Sequence, residues 1–91
     1  MPYKVFVSRT FQKQFHQLQT SHKNRISKAL HELCKDPYTS RPNCDIKVLK
    51  ETHPKKYRLR VGDYRIIFFI EENTVKIIKL LKRERGYGRL E

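Results

Sequence analysis

The clearest alternation of apolar and polar positions lies at residues 57–70, YRLRVGDYRIIFFI. Side chains on a strand point to opposite faces in turn, so one arm places Tyr57, Leu59 and Val61 together and its arginines on the other face. Gly62-Asp63 is a two-residue hairpin turn, because glycine adopts a positive φ without steric cost. The turn predicts three apolar pairs across the hairpin: Val61 with Tyr64, Leu59 with Ile66, and Tyr57 with Phe68.

Helical periodicity precedes the hairpin. Residues 3–7 predict a first strand, and Ser8 offers an N-cap to a helix over about residues 9–19. Thr20-Ser21 is expected to end that helix and cap a second one. The second helix closes at Asp36-Pro37, because the residue before a proline leaves helical geometry. Both helices carry one apolar stripe, at Phe11, Phe15 and Leu18 and at Ile26, Ala29, Leu30, Leu33 and Cys34.

The other segments predict a loop and a last strand. Residues 36–56 hold three of the four prolines, so we expect mostly connection there, with Val48-Leu49 as an anchor to the core. After a turn at 71–74, residues 75–81 complete an antiparallel meander. A two-residue turn pairs Phe68 with Ile77 and a three-residue turn pairs it with Ile78, and the two registers put Lys79 on opposite faces.

These elements predict one α+β domain over residues 1–91. An N-terminal strand and a two-helix hairpin pack on one face of a mainly antiparallel β-sheet. The other face carries Ile67 and Phe69, which we expect to be covered by the tail or a partner, or to remain an exposed patch. Residues 82–91, KRERGYGRLE, are expected to form an irregular, partly mobile tail.

The charge of the chain narrows its partners. The formal net charge is +12, and it is spread evenly: residues 1–49 carry nine Lys/Arg against three Asp/Glu, and residues 50–91 carry twelve against six. Such a charge predicts an acidic partner, either nucleic acid, an anionic membrane surface or an acidic protein. The two cysteines fit neither a disulfide framework nor a metal site, and no stretch predicts a signal peptide or membrane span, so we expect a cytoplasmic protein.

The second face of the hairpin carries a cluster of arginines. Its turn sets Arg60 opposite Arg65 with Arg58 beside them, although like charges across a strand pair destabilise a sheet. Arginine stays protonated and its planar fork matches phosphate oxygens in pairs, so this set suits a polyanion or a phosphorane transition state. Arg83 and Arg85 follow the strand expected beside Arg65. The alternative is a solvated face without a specific ligand.

Other chemistry is largely excluded by the sequence. The four histidines share no metal or catalytic spacing, and the few acidic residues are too scattered for a glycosidase or a metal-dependent nuclease. No glycine-rich phosphate loop or Ser/His/Asp signature occurs. Tyr87 stands between two glycines, where its ring can stack on a base or simply attach the tail to the sheet. Any catalysis would use arginine, lysine and tyrosine.

The layout resembles the RelE/ParE superfamily of toxins from toxin–antitoxin systems. The likeness rests on the Val-Leu-Lys element at 48–50, the segment YRLRVGDYRIIF, and KRERGY after the last strand, which points to the RelE branch. The resemblance implies an endoribonuclease that cuts messenger RNA in the ribosomal A site with no metal or organic cofactor. In that family the messenger's own 2′-hydroxyl attacks the adjacent phosphate, and basic side chains stabilise the dianionic phosphorane.

The resemblance also assigns roles to residues. Arg58, Arg60 and Arg65 match basic positions around the turn, Arg83 matches an arginine that stabilises the leaving group, and Tyr87 is the candidate for a tyrosine that stacks on the substrate. Further RNA contacts are expected from Lys55, Lys56, Lys79, Lys82 and Arg85. Two departures matter. Lysines replace Arg58 and Arg60 in the better-known bacterial branch, so here both are expected to act as electrostatic clamps, and Tyr87 follows Arg83 at a shorter spacing.

The implied partners are a RelB-like antitoxin, a 70S-type ribosome with messenger RNA, and operator DNA through the toxin–antitoxin complex. We expect no membrane partner. An antitoxin segment that folds on binding can cover the Ile67/Phe69 face or the helices. Two other functions stay open. One is ParE-like inhibition of DNA gyrase without catalysis, against which the concentrated arginines count, and the other is a non-catalytic RNA- or ribosome-binding domain.

Overall fold

A computed structural model describes residues 3–49 and 53–82 and shows two helices packed on one face of a five-stranded sheet. The elements are β1 (Lys4–Val7), α1 (Arg9–His16), α2 (Thr20–Leu33), β2 (Asp45–Leu49), β3 (Lys56–Val61), β4 (Tyr64–Glu71) and β5 (Thr74–Lys82). The strand order is β1-β5-β4-β3-β2, in which β1 pairs with β5 in parallel and the other pairs are antiparallel. The expected fold class is confirmed. Within the described ranges, no helix is long and apolar enough to cross a bilayer.

The central hairpin has the register that its sequence predicts. Gly62 has a φ of 60°, and the three apolar pairs across the turn form as expected. Arg60 lies directly opposite Arg65 in the same register. Leu59, Ile66 and Phe68 are fully buried against the helices. The alternate residues of β3 and β4 therefore face away from the helices.

One strand was missing from the expected layout. Residues 45–49, which we predicted to belong to a loop, form β2 and pair with β3 along its whole length. The expected core contact at Val48 was also wrong, because Val48 is 44% exposed and Ile46 is the buried residue, at 8%. A five-residue edge strand shows too few alternations of apolar and polar residues to be recognised from its sequence. Its conformation depends on the backbone hydrogen bonds that it forms with β3.

The boundary between α1 and α2 differs from the expectation. Ser8 caps α1 as predicted, with its Oγ accepting from the backbone N–H of Phe11 at 3.0 Å. However, α1 stops at His16, and the N-cap of α2 is Gln19, which makes no side-chain cap hydrogen bond. The predicted apolar stripes face the core, where Phe11, Ile26 and Leu33 are buried.

A β-bulge in β5 reconciles the two registers that the sequence left open. Phe68 pairs with Ile77, as a two-residue turn requires, but the next pair is Ile67 with Lys79, as the longer turn would give. The extra residue, Ile78, accepts a hydrogen bond through its carbonyl from the Ser8 hydroxyl. The bulge shifts the far half of β5 by one residue, so Lys79 lies on the sheet face opposite the helices.

Side chains of α1 continue the hydrogen bonding where β1 stops. β1 ends opposite Ile77, and the backbone of Leu80 therefore has no strand on that side. The Gln14 side chain replaces it: its Nε2 donates to the Leu80 carbonyl at 2.7 Å, and its Oε1 accepts from the Leu80 N–H at 2.7 Å. These bonds satisfy backbone groups that would otherwise be unpaired, and they tie the register of β5 to α1.

Candidate nucleic-acid interface

The sheet face opposite the helices collects the basic side chains of four strands. Arg58 and Arg60 reach it from β3 and Arg65 from β4, because these residues alternate with the buried ones. Lys47 stands opposite Arg58 on β2, and Lys79 stands opposite Ile67 on β5. We call this surface the arginine face, and it comprises Lys47, Lys56, Arg58, Arg60, Arg65 and Lys79.

On the arginine face, Asp45 forms an ion pair with one of the three arginines. Asp45 Oδ1 lies 3.4 Å from Arg58 Nη2, and Asp45 is also the cross-strand neighbour of Arg60. Arg60 is exposed and Arg65 is half-buried, and neither forms an ion pair or side-chain hydrogen bond with another described residue. The four groups together carry a formal charge of +2. An excess of guanidinium groups at this density matches the charge and the paired oxygens of a phosphate.

Arg58 is the most restrained of the three. Its side chain is 17% exposed, and its Nε is buried without a hydrogen-bond partner among the described residues. An unpaired buried N–H is unfavourable, and an ion pair at 3.4 Å compensates only part of it. Burial and Asp45 therefore hold Arg58 in place, and only the accessible part of its guanidinium group can contact an anion on this face.

An apolar strip runs under the basic groups. Ile67 faces away from the helices yet is only 8% exposed. Its cross-strand neighbours are Arg58 and Lys79, and the aliphatic stems of such long side chains cover apolar surface while their charged ends reach water. Phe69 is half-buried, with Lys76 Nζ 6.0 Å from its ring centroid. The Ile67/Phe69 face is therefore only partly open.

The structure brings together some of the expected RNA contacts and separates one. Lys56 and Lys79 lie on the arginine face, and exposed Lys55 directly precedes β3. Lys82 is the last residue of β5 rather than part of a tail, and it stands opposite Tyr64 on the helix side. There it lines a pocket of ≈ 460 Å³ together with His22 and Tyr64, whose rings meet edge to face at 5.2 Å.

Three expected site residues fall beyond the described ranges. Arg83, Arg85 and Tyr87 lie in 83–91, outside the residues that the structure describes. Conversely, Lys47 belongs to the arginine face and was not among the expected contacts. Its position follows from β2, so only recognition of that strand could have identified it from the sequence.

The groups with shifted acidity lie away from the arginine face. Burial raises the pKa of the Cys34 and Cys44 thiols, which are both free. A backbone hydrogen bond from Tyr38 and a side-chain hydrogen bond from Thr39 hold the pKa of the Asp36 carboxyl below its usual value. In the described part of the chain, His, Cys, Asp and Glu side chains form no group of three or more that could hold a metal ion. The arginine face presents lysine and arginine side chains, which are cations and hydrogen-bond donors.

Sequence comparison identifies the family. Residues 5–87 match the family described as the ParE toxin of type II toxin-antitoxin system, parDE. The chain belongs to the RelE/ParE superfamily. The family resemblance read from the hairpin and the KRER segment is thereby confirmed, and the chain is a toxin of a toxin–antitoxin system by family. No curated protein shows significant sequence similarity to it.

Solved RelE structures share the fold of this RelE/ParE-family toxin. A chain of the archaeal RelE–RelB complex from Pyrococcus horikoshii OT3 is 31% identical, with 93% of this chain and 99% of that chain covered and a TM-score of 0.79. A chain of the RelB–RelE antitoxin–toxin complex from Methanococcus jannaschii is 27% identical, with 94% of this chain and 99% of that chain covered and a TM-score of 0.69. The isolated RelE toxin of Escherichia coli is 16% identical, with 98% of this chain and 99% of that chain covered and a TM-score of 0.63. At this identity the similarity shows a shared fold alone.

Proposed function

We propose that this toxin is a metal-independent endoribonuclease that cleaves ribosome-bound messenger RNA by attack of the 2′-hydroxyl on the adjacent phosphate. The observation that carries the proposal is the direct pairing of Arg60 with Arg65 beside a partly engaged Arg58. Placing like charges in register destabilises a sheet. A bound phosphate converts that repulsion into attraction, so the arrangement is explained by an anionic ligand.

The reaction needs charge stabilisation and proton transfer. The 2′-oxygen forms a bond to phosphorus and the bond to the 5′-oxygen breaks, which leaves a 2′,3′-cyclic phosphate and a 5′-hydroxyl. One proton leaves the 2′-hydroxyl and one reaches the 5′-oxygen. The exposed Arg60 and the half-buried Arg65 can donate paired hydrogen bonds to the non-bridging oxygens, where negative charge grows in the phosphorane.

The remaining proposed roles follow the family. We assign Arg83 to the leaving group and Tyr87 to stacking on the substrate base, and both lie outside the described residues. Lys47, Lys55, Lys56 and Lys79 surround the arginines and would hold the flanking sugar–phosphate backbone. Arginine does not readily release a proton, so Arg58 and Arg60 act in this proposal as clamps and not as the general base.

The proposed partners are an antitoxin and the ribosome. The similar archaeal toxins were crystallised with RelB, which supports a RelB-like antitoxin for this chain. Operator DNA, bound through the toxin–antitoxin complex, is a further proposed partner. A net charge of +12 suits both an acidic antitoxin segment and ribosomal RNA. The proposed compartment is the cytoplasm.

A cleavage assay with programmed ribosomes tests the proposal. Messenger is incubated with the toxin in the presence and absence of ribosomes, and the 5′ ends of the products are mapped. Arg65→Ala and Arg83→Ala are each expected to lower the rate by about 10²–10³-fold, the usual effect of removing one donor to a developing oxyanion. Lys13→Ala, on the exposed side of α1, serves as the control with little change. Wild-type cleavage rates in both arginine variants would contradict the proposal.

A second candidate is ParE-like inhibition of DNA gyrase. The match of residues 5–87 to the ParE toxin family favours it. In that case the arginine face would be a binding surface without chemistry. A gyrase supercoiling assay distinguishes the candidates, because an endoribonuclease leaves supercoiling unchanged at concentrations that cleave messenger.

A further inference from the structure

A second basic site lies beside the arginine face, around the edge of the sheet. A groove of ≈ 490 Å³ separates α2 from the β3–β4 turn. Arg25 and Lys28 line it from α2 and Arg60 lines it from β3, and all three are exposed. Arg60 therefore belongs to both surfaces, and the groove begins where the arginine face ends.

The hairpin turn provides the seat for Arg25. A Cβ atom on Gly62 would lie 2.8 Å from Arg25 Nη2 and 3.1 Å from Nη1. The guanidinium group thus rests directly against the backbone of the turn, in space that only glycine leaves open. The fork of Arg25 therefore lies beside the turn, where it can form paired hydrogen bonds to an anion in the groove.

The acids of the groove do not neutralise these cations. Glu32 pairs with Lys35 at 3.3 Å and with Arg41 at 3.4 Å, and these partners lower the pKa of its carboxyl, Lys35 through the largest effect. Asp45 pairs with Arg58 at 3.4 Å. Arg25, Lys28 and Arg60 form no ion pair with any described residue, so three positive charges line the groove without an acidic partner there.

We propose that the groove binds the sugar–phosphate backbone of RNA, which continues from the arginine face through Arg60 to α2. This inference rests on the proposed ribonuclease function. A nucleic acid is favoured over an acidic peptide because one continuous polyanion satisfies both surfaces. In addition, the apolar lining consists of Ala29, Pro42 and Val61, and these side chains offer no large exposed anchor of the kind that peptide recognition uses.

The groove makes a specific contribution to recognition. In this proposal the cations of the groove contact phosphates and not base edges, so they would position RNA without selecting a sequence. The phosphates can come from messenger or from ribosomal RNA. With either source, RNA contacts extend beyond the scissile phosphate. The affinity for RNA then depends on Arg25 and Lys28, which lie outside the arginine face.

Salt-dependent binding of a double variant tests the groove. Arg25→Gln/Lys28→Gln is compared with Arg9→Gln/Lys13→Gln, which removes the same charge from exposed positions of α1. Dissociation constants are measured for programmed ribosomes, ribosomes without messenger, and a free messenger fragment. We expect weaker binding by the groove variant and a plot of log K against log[salt] that is less steep by roughly 1.4–1.8, the equivalent of two phosphate contacts. Thermal unfolding of both variants checks that they are folded.

The three ligands separate the possible outcomes. An effect on empty ribosomes identifies ribosomal RNA as the source, and an effect confined to messenger and programmed ribosomes identifies messenger. Equal affinities and slopes for the groove and control variants with all three ligands would overturn the inference. A poly-glutamate peptide serves as a fourth ligand, and a groove variant that loses binding to this peptide alone would overturn the inference as well. The readout is independent of catalysis. Wild-type protein that binds without cleaving would refute the proposed function and still report on the groove.

Discussion

Replacing Arg65 by glutamine should stabilise the fold and impair the reaction. Arg65 pairs with Arg60 on one side and with Leu81 on the other, so its removal leaves no acid without a partner. Glutamine keeps most of the aliphatic stem that packs on the sheet. Cross-strand pairs contribute about 0.2–1 kcal/mol, so relief of the repulsion should raise the free energy of unfolding by that amount. For a domain of this size, the melting temperature rises by roughly 1–8 °C.

The cause of the stabilisation can be isolated by a double-mutant cycle. Thermal unfolding is measured for Arg65→Gln, Arg60→Gln and the double variant at low and high salt, with Lys13→Gln on α1 as the charge-matched control. The gain from Arg65→Gln should largely disappear in the Arg60→Gln background and shrink at about 1 M salt, where charges are screened beyond ~3 Å. A loss of stability in Arg65→Gln, or a gain that does not depend on Arg60, would refute the reasoning.

Three further variants test the parts of the fold that support the two basic surfaces. Gly62→Ala should destabilise the protein by about 1–2 kcal/mol in urea unfolding, because φ is 60°, whereas the exposed end of Arg25 can move away from the new Cβ; an increase in stability would contradict the turn geometry. Gln14→Leu should lower stability by about 1–3 kcal/mol and speed hydrogen exchange at the Leu80 amide, whereas Gln12→Leu, which loses one exposed bond of 3.3 Å to Val7, should change little. Because burial raises the folded-state pKa of Cys34 and Cys44 above the usual 9.0, their contribution to stability is complete below pH 9.0 and declines as the pH rises further. Urea unfolding at pH 8 and 9.5 should show the decline, and Cys34→Ala/Cys44→Ala should reduce it.

Local patterns were sufficient to predict the hairpin and the positions of its arginines. Alternation and the Gly62 turn act over a few residues, so the opposition of Arg60 and Arg65 followed from the sequence without tertiary information. The helical stripes were equally local. β2 was not predictable in this way, because a five-residue edge strand shows too few alternations, and Lys47 was overlooked with it.

Long-range hydrogen bonds decide what the sequence left open. The bulge at Ile78 depends on Ser8, and the register beyond it depends on Gln14; both residues lie more than sixty positions earlier in the chain. The bulge places Lys79 on the arginine face, and alternation then places Lys82 on the other. The sequence alone could not distinguish these positions, because it does not show which backbone groups of β5 are bonded to α1.

Cleavage of a messenger that lacks one 2′-hydroxyl tests the central claim most directly. Ribosomes are programmed with an all-ribose messenger or with one that carries a single 2′-deoxynucleotide on the 5′ side of the mapped cleavage site. The account predicts that wild-type toxin converts the first to 2′,3′-cyclic phosphate and 5′-hydroxyl ends and leaves that site intact in the second, while Arg65→Gln cleaves the first about 10²–10³-fold more slowly. Cleavage of the deoxy-substituted messenger at the same phosphate, or no cleavage of either messenger by the wild type, would contradict it.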